Sequence, residues 1–253
     1  MLNAERRAEI LEALGRDKRV LASELAAKFG VSEDTVRRDL RELAEEGLLR
    51  RVYGGAVPRS PASPTYARRR SESPTAKAAI ARAAVPFFRE NHVVFFDAGT
   101  TALEVANQLP PELKLTVVTN SLPVAAILAD HPNTRVVVLG GVLLRETNAT
   151  VGAETVEAFG RVRADLCVLG VASLHPEVGL GVFYHEDAEV KRAMIAAAAE
   201  VMVVAASDKL GTSAPFIVGP VSLVNTLVTD ACVPDGMVSA YQDAGIRVTR
   251  APK

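Results

Sequence analysis

Glycine and polar residues suited to binding an anion follow an apolar segment in the stretch VVFFDAGTTALEVANQL. Asp97, Gly99, Thr100 and Thr101 lie where the apolar run gives way to a helical pattern. Free backbone N–H groups at a helix N-terminus favour a phosphate, and threonine hydroxyls add donors. Gly99 lets the backbone approach a ligand closely. A plain strand-to-helix turn with a threonine cap explains this motif equally well, so it decides nothing alone.

Three later apolar segments end in a similar way, in TNS, LGG and ASDKLG. Their candidate ligand-binding residues are Thr119, Asn120, Ser121, Gly140, Gly141 and Lys209. The lysine ammonium group is suited to neutralising a phosphate. In open α/β sheets, ligands bind at the carboxyl ends of the strands. These segments together predict one anion-binding crevice, which is a stronger indication than any single motif.

A different chemistry is indicated by the arginines of SEDTVRRDLREL. The predicted buried face of this helix consists of Val36, Leu40 and Leu43. The opposite face presents Arg37, Arg38 and Arg41, with Thr35 near its edge. Arginine binds guanine through two hydrogen bonds or neutralises a phosphate, so this helix could enter a major groove. The competing interpretation is a solvated face whose charge is balanced by Asp39, Glu42 and Glu45.

The segments around this helix favour DNA binding. A first helix is expected from an N-cap at Asn3 to Gly15, and a second in SELAAKF before Gly30. Ser32 caps the arginine-bearing helix, which ends near Glu46 with Gly47 after it. Two short β-prone runs around Gly54-Gly55 then predict a hairpin carrying Arg50 and Arg51. A helix-turn-helix followed by a hairpin is the winged-helix arrangement.

The remainder of the chain alternates between helical and apolar patterns. Residues 58–75 are rich in proline, serine and arginine and are interpreted as a partly extended linker. Beyond it, strands are expected in HVVFFDAG, KLTVVTN and TRVVVLGG and near residues 166–171, 201–206, 226–229 and 246–249. Near-continuous Val/Leu runs between helices imply a mostly parallel sheet covered on both faces. The predicted domains are therefore 1–57, which binds DNA, and 76–253, which forms an open α/β unit.

Composition and charge distribution limit the classes of protein to which this chain can belong. The 253 residues carry a net charge of −1, but residues 1–70 hold 15 basic and 11 acidic side chains, against 14 and 19 afterwards. A basic first part fits a nucleic-acid-binding end on an anionic body. We expect no signal peptide and no membrane helix, and the two separated cysteines suit a reducing cytoplasm. The histidines and cysteines show no metal-ligand spacing, so no metal and no cofactor are expected.

The first 56 residues carry an ordered set of motifs: ELA, FGVS, TVRRDL, GLL and GGA. This set resembles the DNA-binding domain of the DeoR family of bacterial transcriptional regulators. The resemblance covers residues 6–56 and implies that residues 20–39 form the helix-turn-helix proper. It also implies DNA contacts from Arg37 and Arg38 and phosphate contacts from Ser32 and Thr35.

DAGTTALEVANQL, VVTNS, LGG, EDAEVKRAMI and SDKLG, between residues 77 and 230, resemble the DeoR-family sensor domain. That domain has a Rossmann-like fold similar to ribose-5-phosphate isomerase and is understood to sense phosphorylated sugars or related metabolites. The resemblance adds Glu189, Lys191 and Asp208 as second-tier effector residues. Two positions depart from the family pattern, Ala206 before the serine of the lysine motif and Gly181 after the GL turn.

The resemblance implies a repressor of carbohydrate-metabolism genes. Its partners would be double-stranded operator DNA, a phosphorylated sugar or polyol and further copies of itself in a homo-oligomer. The alternative is an enzyme, a sugar-phosphate isomerase or deaminase fused to a DNA-binding domain. Such catalysis needs a positioned general base. The only candidates are Asp97, Asp208 and His185, and nothing in the sequence pairs them, so we expect no enzyme.

Overall fold

The computed structural model describes residues 2–63 and 65–252. Met1, Pro64 and Lys253, at the ends of the predicted domains and in the predicted linker, lie outside the described residues. The N-terminal domain comprises α1 (Asn3–Asp17), β1 (Val20–Leu21), α2 (Ala22–Phe29), α3 (Glu33–Glu45), β2 (Arg50–Val52) and β3 (Gly55–Val57). The three strands form an antiparallel sheet in the order β1-β3-β2. The predicted helix-turn-helix and its hairpin wing are therefore present, with β1 as an additional strand.

Helix α3 begins and ends as predicted, whereas α1 does not. Ser32 accepts a hydrogen bond from the Thr35 N–H at 3.3 Å, and Gly47 takes a positive φ after α3. At α1 the prediction was wrong at both ends. Leu2 is the N-cap, its N–H donating to Glu5, and the helix runs past Gly15 until Lys18 adopts a left-handed conformation. Glycine inside a helix costs only about 1 kcal/mol, which the continuing hydrogen bonds outweigh.

The core of the N-terminal domain fixes which face of α3 is exposed. Ile10 from α1, Val36, Leu40 and Leu43 from α3 and Leu49 are all buried. Asp39 shares this buried face, so it does not balance the outer arginines as the competing interpretation of the helix required. It accepts hydrogen bonds from Arg6 of α1 at 2.5 and 3.0 Å. A buried carboxylate needs such a partner, so this pair fixes α1 against α3.

The C-terminal domain has a seven-stranded parallel sheet. Helix α4 (Tyr66–Ser71) lies in the connecting segment before this domain, whose elements are α5 (Pro74–Ala84), β4 (Val93–Phe96), α6 (Thr100–Asn107), β5 (Leu115–Thr119), α7 (Leu122–Leu128), β6 (Thr134–Val138), β7 (Val142–Leu144), β8 (Ala149–Val151), α8 (Ala153–Gly160), β9 (Ala164–Leu169), β10 (Ser173–His175), β11 (Gly179–Val182), α9 (His185–Ala196), β12 (Ala198–Val204), β13 (Phe216–Gly219), β14 (Thr226–Thr229), α10 (Asp235–Asp243) and β15 (Arg247–Arg250). The sheet order is β15-β14-β12-β9-β4-β5-β6. Every pairing in it is parallel.

Both faces of this sheet are buried, as the apolar strands predicted. Phe95 and Phe96 are adjacent on β4 and fully buried, and they belong to two separate hydrophobic clusters. Successive residues of a strand point to opposite faces, so one cluster lies on each side. The carboxyl ends of all seven strands consequently lie at one edge of the sheet, which is where the predicted ligand-binding motifs follow the strands.

Several elements of this domain were not predicted. They are the hairpin β7–β8, the small sheet β10-β11-β13, and the helices α8 and α10. The segment interpreted as a partly extended linker contains helix α4. Helix α9 ends at Ala196, because β12 begins at Ala198.

The two domains are joined by direct contacts. Ser213 exchanges backbone hydrogen bonds with the chain just after the wing, donating to Pro58 at 2.9 Å and accepting from Ser60 at 3.0 Å. Arg19 forms an ion pair with Glu177, and the carbonyl of Lys18 lies 3.3 Å from His175 Nε2. The N-terminal domain therefore contacts the C-terminal domain both through its α1–β1 corner and through the start of the connecting segment.

Candidate functional site

Arg37 and Arg38 lie on the exposed face of α3, as predicted. Arg37 donates to Glu33 at 2.6 Å and to Asp34 at 3.3 Å, and Arg38 donates to Glu42 at 3.2 Å. These ion pairs are solvent-exposed, so each is worth little and is readily exchanged for a DNA contact. The structure therefore shows Arg37 and Arg38 both exposed and paired with neighbouring carboxylates, which is compatible with either interpretation of the sequence.

The start of α3 and the wing complete this surface. The hydroxyls of Ser32 and Thr35 lie 2.9 Å apart at the helix N-terminus. Arg41 is exposed on α3 and Arg51 on the wing. Arg50 is only half-exposed, and burial lowers its pKa, with the nearby charge of Arg59 adding to the effect. Arg50 is therefore the least accessible of the arginines predicted to bind DNA.

Sequence reasoning missed the most exposed aromatic side chain of this domain. Tyr53 stands at the tip of the wing, beside Gly54, with 99% of its surface exposed. An aromatic ring on the surface of a monomer without packing partners is suited to contacting a macromolecule. The Tyr-Gly-Gly turn was the available signal, because the hairpin it predicts places its first residue outside the core.

A cleft at the carboxyl ends of β4 and β9 unites part of the predicted anion site. Asp97, Ala98 and Gly99 enter it from β4, and Gly170, Val171 and Ala172 follow β9. Its polar and charged lining also includes Arg69, Thr100, Thr101, Thr147, Tyr184, Asp187, Lys191 and Lys209. Five of the predicted effector residues, Asp97, Gly99, Thr100, Thr101 and Lys209, therefore lie together. Lys191 of the second tier joins them.

Asp97 holds the floor of the cleft together. One carboxylate oxygen accepts hydrogen bonds from the N–H groups of Gly99 at 3.1 Å and Gly170 at 2.9 Å, and the other accepts from Lys191. The two glycines meet so closely that a Cβ on either would lie 3.0 Å from the other's Cα. Because both oxygens of Asp97 are occupied, its geometry suits a positioning role more than direct ligand contact.

Lys191 is held by two carboxylates. Its ammonium group contacts Asp97 and lies 3.4 Å from Asp187, one helical turn away on α9. Burial lowers the pKa of Lys191, but the charges of Asp187 and Asp97 and their hydrogen bonds outweigh it and leave that pKa raised. Burial also raises the pKa of Asp187. This buried triad leaves Arg69 and Lys209 as the remaining cations of the cleft lining.

Lys209 and α6 provide the groups that best fit an anion. Lys209 is buried, and within the described residues its ammonium group makes no hydrogen bond or ion pair. Burial lowers its pKa and the charge of Arg69 adds to this, while the carboxylates of Asp208 and Glu72 offset the shift only in part. The N-terminus of α6 opens on the same cleft at Thr100 and Thr101, where the first-turn N–H groups have no intrahelical acceptors. A ligand phosphate would satisfy both.

The structure does not bring the other predicted strand ends into the cleft. Thr119 donates to the Phe96 carbonyl at 2.7 Å, Asn120 to the Thr150 carbonyl at 2.6 Å, and Ser121 caps α7. Gly140 accepts from Thr155 at 2.7 Å, and Gly141 faces the same threonine so closely that no Cβ fits. Asn120 thus ties the end of β5 to β8, Gly140 ties the end of β6 to α8, and Thr119 ties β5 to β4. Their predicted effector role finds no support in this geometry.

The remaining predicted positions also lie outside the cleft. Asp208 is exposed, and Glu189 pairs with Arg192 and His185 at the surface. A Cβ at Gly181 would lie 2.4 Å from Ser173 Oγ, so a threonine there would need local movement. Ala206 is buried beside the cleft without lining it. The general bases weighed for an enzyme, Asp97, Asp208 and His185, are thus not brought together.

Across residues 2–63 and 65–252, no group of three or more His, Cys, Asp or Glu side chains is placed to hold a metal ion. No helix in the same ranges is both long and apolar enough to cross a membrane.

A winged helix-turn-helix joined to a parallel α/β domain defines a class of DNA-binding regulators. Residues 6–61 match the model of the DeoR-like helix-turn-helix domain, and residues 72–231 match that of the DeoR C terminal sensor domain. The chain belongs to the DeoR family of transcriptional regulators.

Relatives align over nearly the whole chain. The HTH-type transcriptional regulator GlpR of Haloferax volcanii is 36% identical over 98% of both chains. The Glycerol-3-phosphate regulon repressor of Escherichia coli is 31% identical over 98% of this chain and 99% of its own. Among solved structures, ribose 5 phosphate isomerase A from Neisseria gonorrhoeae matches with a TM-score of 0.40 and 17% identity, covering 54% of this chain and 53% of its own. That weak structural likeness bears on no activity.

Proposed function

We propose that this protein represses transcription by binding operator DNA through α3 and the wing, and that a phosphorylated sugar or polyol bound in the cleft controls this binding. The observation that carries the proposal is the buried ammonium group of Lys209, which shares the cleft with the N-terminus of α6. A cation and helix N–H groups that both lack partners favour a small anion. The Escherichia coli relative is named for the glycerol-3-phosphate regulon, and glycerol 3-phosphate belongs to this ligand class.

Control of DNA binding requires the ligand to favour one arrangement of the domains by about 1–3 kcal/mol. The contacts of Lys18, Arg19 and Ser60 with the sensor domain supply surfaces that such a preference can act upon. We further propose that the protein acts in the cytoplasm as a symmetric homo-oligomer. Two copies of α3 would then read repeated half-sites of one operator.

The proposal is tested by a thermal-shift screen with glycerol 3-phosphate, hexose phosphates and inorganic phosphate, each compared with its unphosphorylated parent where one exists. A ligand that binds only the folded state raises the midpoint of unfolding. Lys209→Met should weaken binding of an active phosphate about tenfold or more, as expected for a hydrogen bond to a charged group. Lys114→Met, at an exposed position, is the matched control.

Gel-shift titration of operator DNA, with and without the stabilising phosphate, completes the test. Release of DNA by that phosphate, without chemical change in it, supports a ligand-controlled repressor. Stabilisation by the unphosphorylated parent alone would contradict the assignment of an anion site. Conversion of the phosphate into a product would contradict the assignment as a regulator without catalysis.

A further inference from the structure

Helix α4, which lies between the two domains, carries three consecutive arginines with different surroundings. Arg68 and Arg70 are exposed, and Arg68 lies 3.8 Å from Glu72 on the same short segment. Arg69 is half-buried and lines the cleft together with Lys209 and Thr100. The connecting segment therefore contributes a cation to a site that otherwise belongs to the sensor domain.

Arg69 is tied to the rim of the cleft through both its side chain and its backbone. Its guanidinium group donates to the carbonyl of Ser63 at 3.1 Å and to that of Glu146 at 3.2 Å. Its own carbonyl accepts hydrogen bonds from Lys77 and, at 3.5 Å, from Thr100 Oγ1. Glu146 precedes Thr147, which also lines the cleft. Arg69 thus joins the segment before α4, the β7–β8 hairpin and the start of α6.

The electrostatic surroundings of Arg69 favour an incoming anion. Burial lowers the pKa of Arg69, and the nearby carboxylates of Asp187 and Asp97 offset this only in part. Those two carboxylates are already engaged by Lys191. A guanidinium group can present two N–H donors to one phosphate while keeping other hydrogen bonds, which an ammonium group cannot match in geometry.

We propose that Arg69 binds the phosphoryl group of the effector together with Lys209, so that the segment between the domains is itself part of the effector site. This inference rests on the proposed function and adds to it the residue through which occupancy reaches the DNA-binding domain. The segment leading to α4 begins at the end of the wing, at Pro58. Ser60 donates through its hydroxyl to the carbonyl of Ala172 at 2.5 Å, and Ala172 lines the cleft. Ligand and wing therefore share one connecting segment.

The test compares Arg69→Gln with Arg70→Gln, which removes an equal charge from the adjacent, exposed position of α4. Titration calorimetry on the full-length protein uses whichever phosphate stabilises the wild type in the screen, with glycerol 3-phosphate examined first. Arg69→Gln should weaken binding of that phosphate about tenfold or more, because a hydrogen bond to a charged group is lost. Arg70→Gln should stay within about twofold of the wild type. Arg69→Lys, which keeps the charge without the planar fork, should recover only part of the affinity.

Hydrogen exchange of the wild type gives a second measurement that does not depend on a variant folding. The phosphate should slow exchange of the amides of α4 and of residues 58–63 as well as those of α6. Unchanged exchange in α4, or an Arg69→Gln protein that binds as tightly as the wild type while Lys209→Met does not, would overturn the role of Arg69 and leave the proposed function standing. A wild type that binds none of the phosphates overturns the proposed function and this inference together.

Discussion

Asp97→Asn is a nearly isosteric change whose effect can be worked out from the hydrogen bonds of the cleft floor. One oxygen of Asp97 accepts from the N–H groups of Gly99 and Gly170, and the other accepts from Lys191. An asparagine offers one oxygen and one NH₂ group. If the asparagine oxygen accepts from the N–H groups of the two glycines, its NH₂ group faces the ammonium group of Lys191. In the opposite orientation, the NH₂ group faces the N–H groups of the two glycines, which are also donors. Either orientation leaves buried donors without acceptors.

Removing one partner of a buried ion pair costs about 3–5 kcal/mol, because the other charge loses its compensation. Asp187, 3.4 Å from the Lys191 ammonium group, still compensates part of that charge. We therefore expect a loss near the lower limit, about 3 kcal/mol in the free energy of unfolding. For a chain of this size, each kcal/mol shifts the unfolding midpoint by about 2–4 °C, so the midpoint should fall by about 6–12 °C.

Thermal unfolding followed by far-UV circular dichroism measures this shift, with Asp208→Asn as the control. Asp208 is an exposed carboxylate that does not line the cleft, and its replacement should change stability by no more than about 0.5 kcal/mol. Lys191→Met should also destabilise the protein, and the double variant should lose less than the two single losses combined, because the partners form one network. Stability of Asp97→Asn within about 1 kcal/mol of the wild type, or strict additivity, would refute the assignment of Asp97 as a positioning residue.

Three further outcomes are expected. Arg37→Ala and Arg38→Ala should each weaken operator binding about tenfold or more in gel-shift titrations, while binding of the effector phosphate stays unchanged. The double variant Thr100→Val and Thr101→Val should bind the effector phosphate about tenfold more weakly in calorimetry, because the substitutions remove two hydroxyl donors from the cleft. Burial lowers the pKa of His175, so the unfolded state takes up the proton first, and the free energy of unfolding should fall as pH drops below about 6.5, less so in His175→Gln.

The controls follow from the same geometry. Arg161 pairs with Glu157 one helical turn away, as Arg37 does with Glu33, so Arg161→Ala removes a comparable surface pair without touching α3. Selective operator binding by a protein lacking both α3 arginines would exclude the assigned recognition face. Unchanged phosphate affinity in the double valine variant would exclude the hydroxyls as ligand donors. Parallel stability–pH curves for His175→Gln and the wild type, from urea unfolding, would show that His175 does not produce the pH dependence.

The parts of the fold that could be predicted from sequence are those in which local pattern and tertiary burial agree. Val36, Leu40 and Leu43 repeat at helical spacing and all pack against α1, so the exposure of Arg37 and Arg38 followed. Asp39 shows the limit of this reasoning. Its spacing from Val36 placed it on the buried stripe, but a carboxylate is assigned to solvent unless its partner is known. That partner, Arg6, is 33 positions away.

The candidate site was predictable only where the ligand-binding groups follow a strand directly. Asp97, Thr100 and Thr101 could be identified because one motif contains a strand end and a helix start. Thr119 and Asn120 carry the same signal, but their polar groups satisfy backbone carbonyls of neighbouring segments. Polar residues at a strand end can bind a ligand or satisfy backbone groups of neighbouring segments, and sequence alone does not distinguish these two roles. Arg69 was missed for the opposite reason, since a proline-rich and arginine-rich segment is typical of a solvated linker.

Only a few residues separate the cleft from the contacts that attach the DNA-binding domain. Lys209 lines the cleft, and two residues later the Gly211 N–H donates to the Leu174 carbonyl at 2.8 Å, beside the hairpin that carries His175. Two residues further, Ser213 is hydrogen-bonded to the chain after the wing. Under the proposed function, a phosphate that draws Lys209 toward α6 would act on the attachment of the DNA-binding domain, and such a differential contact is what ligand control of operator binding requires.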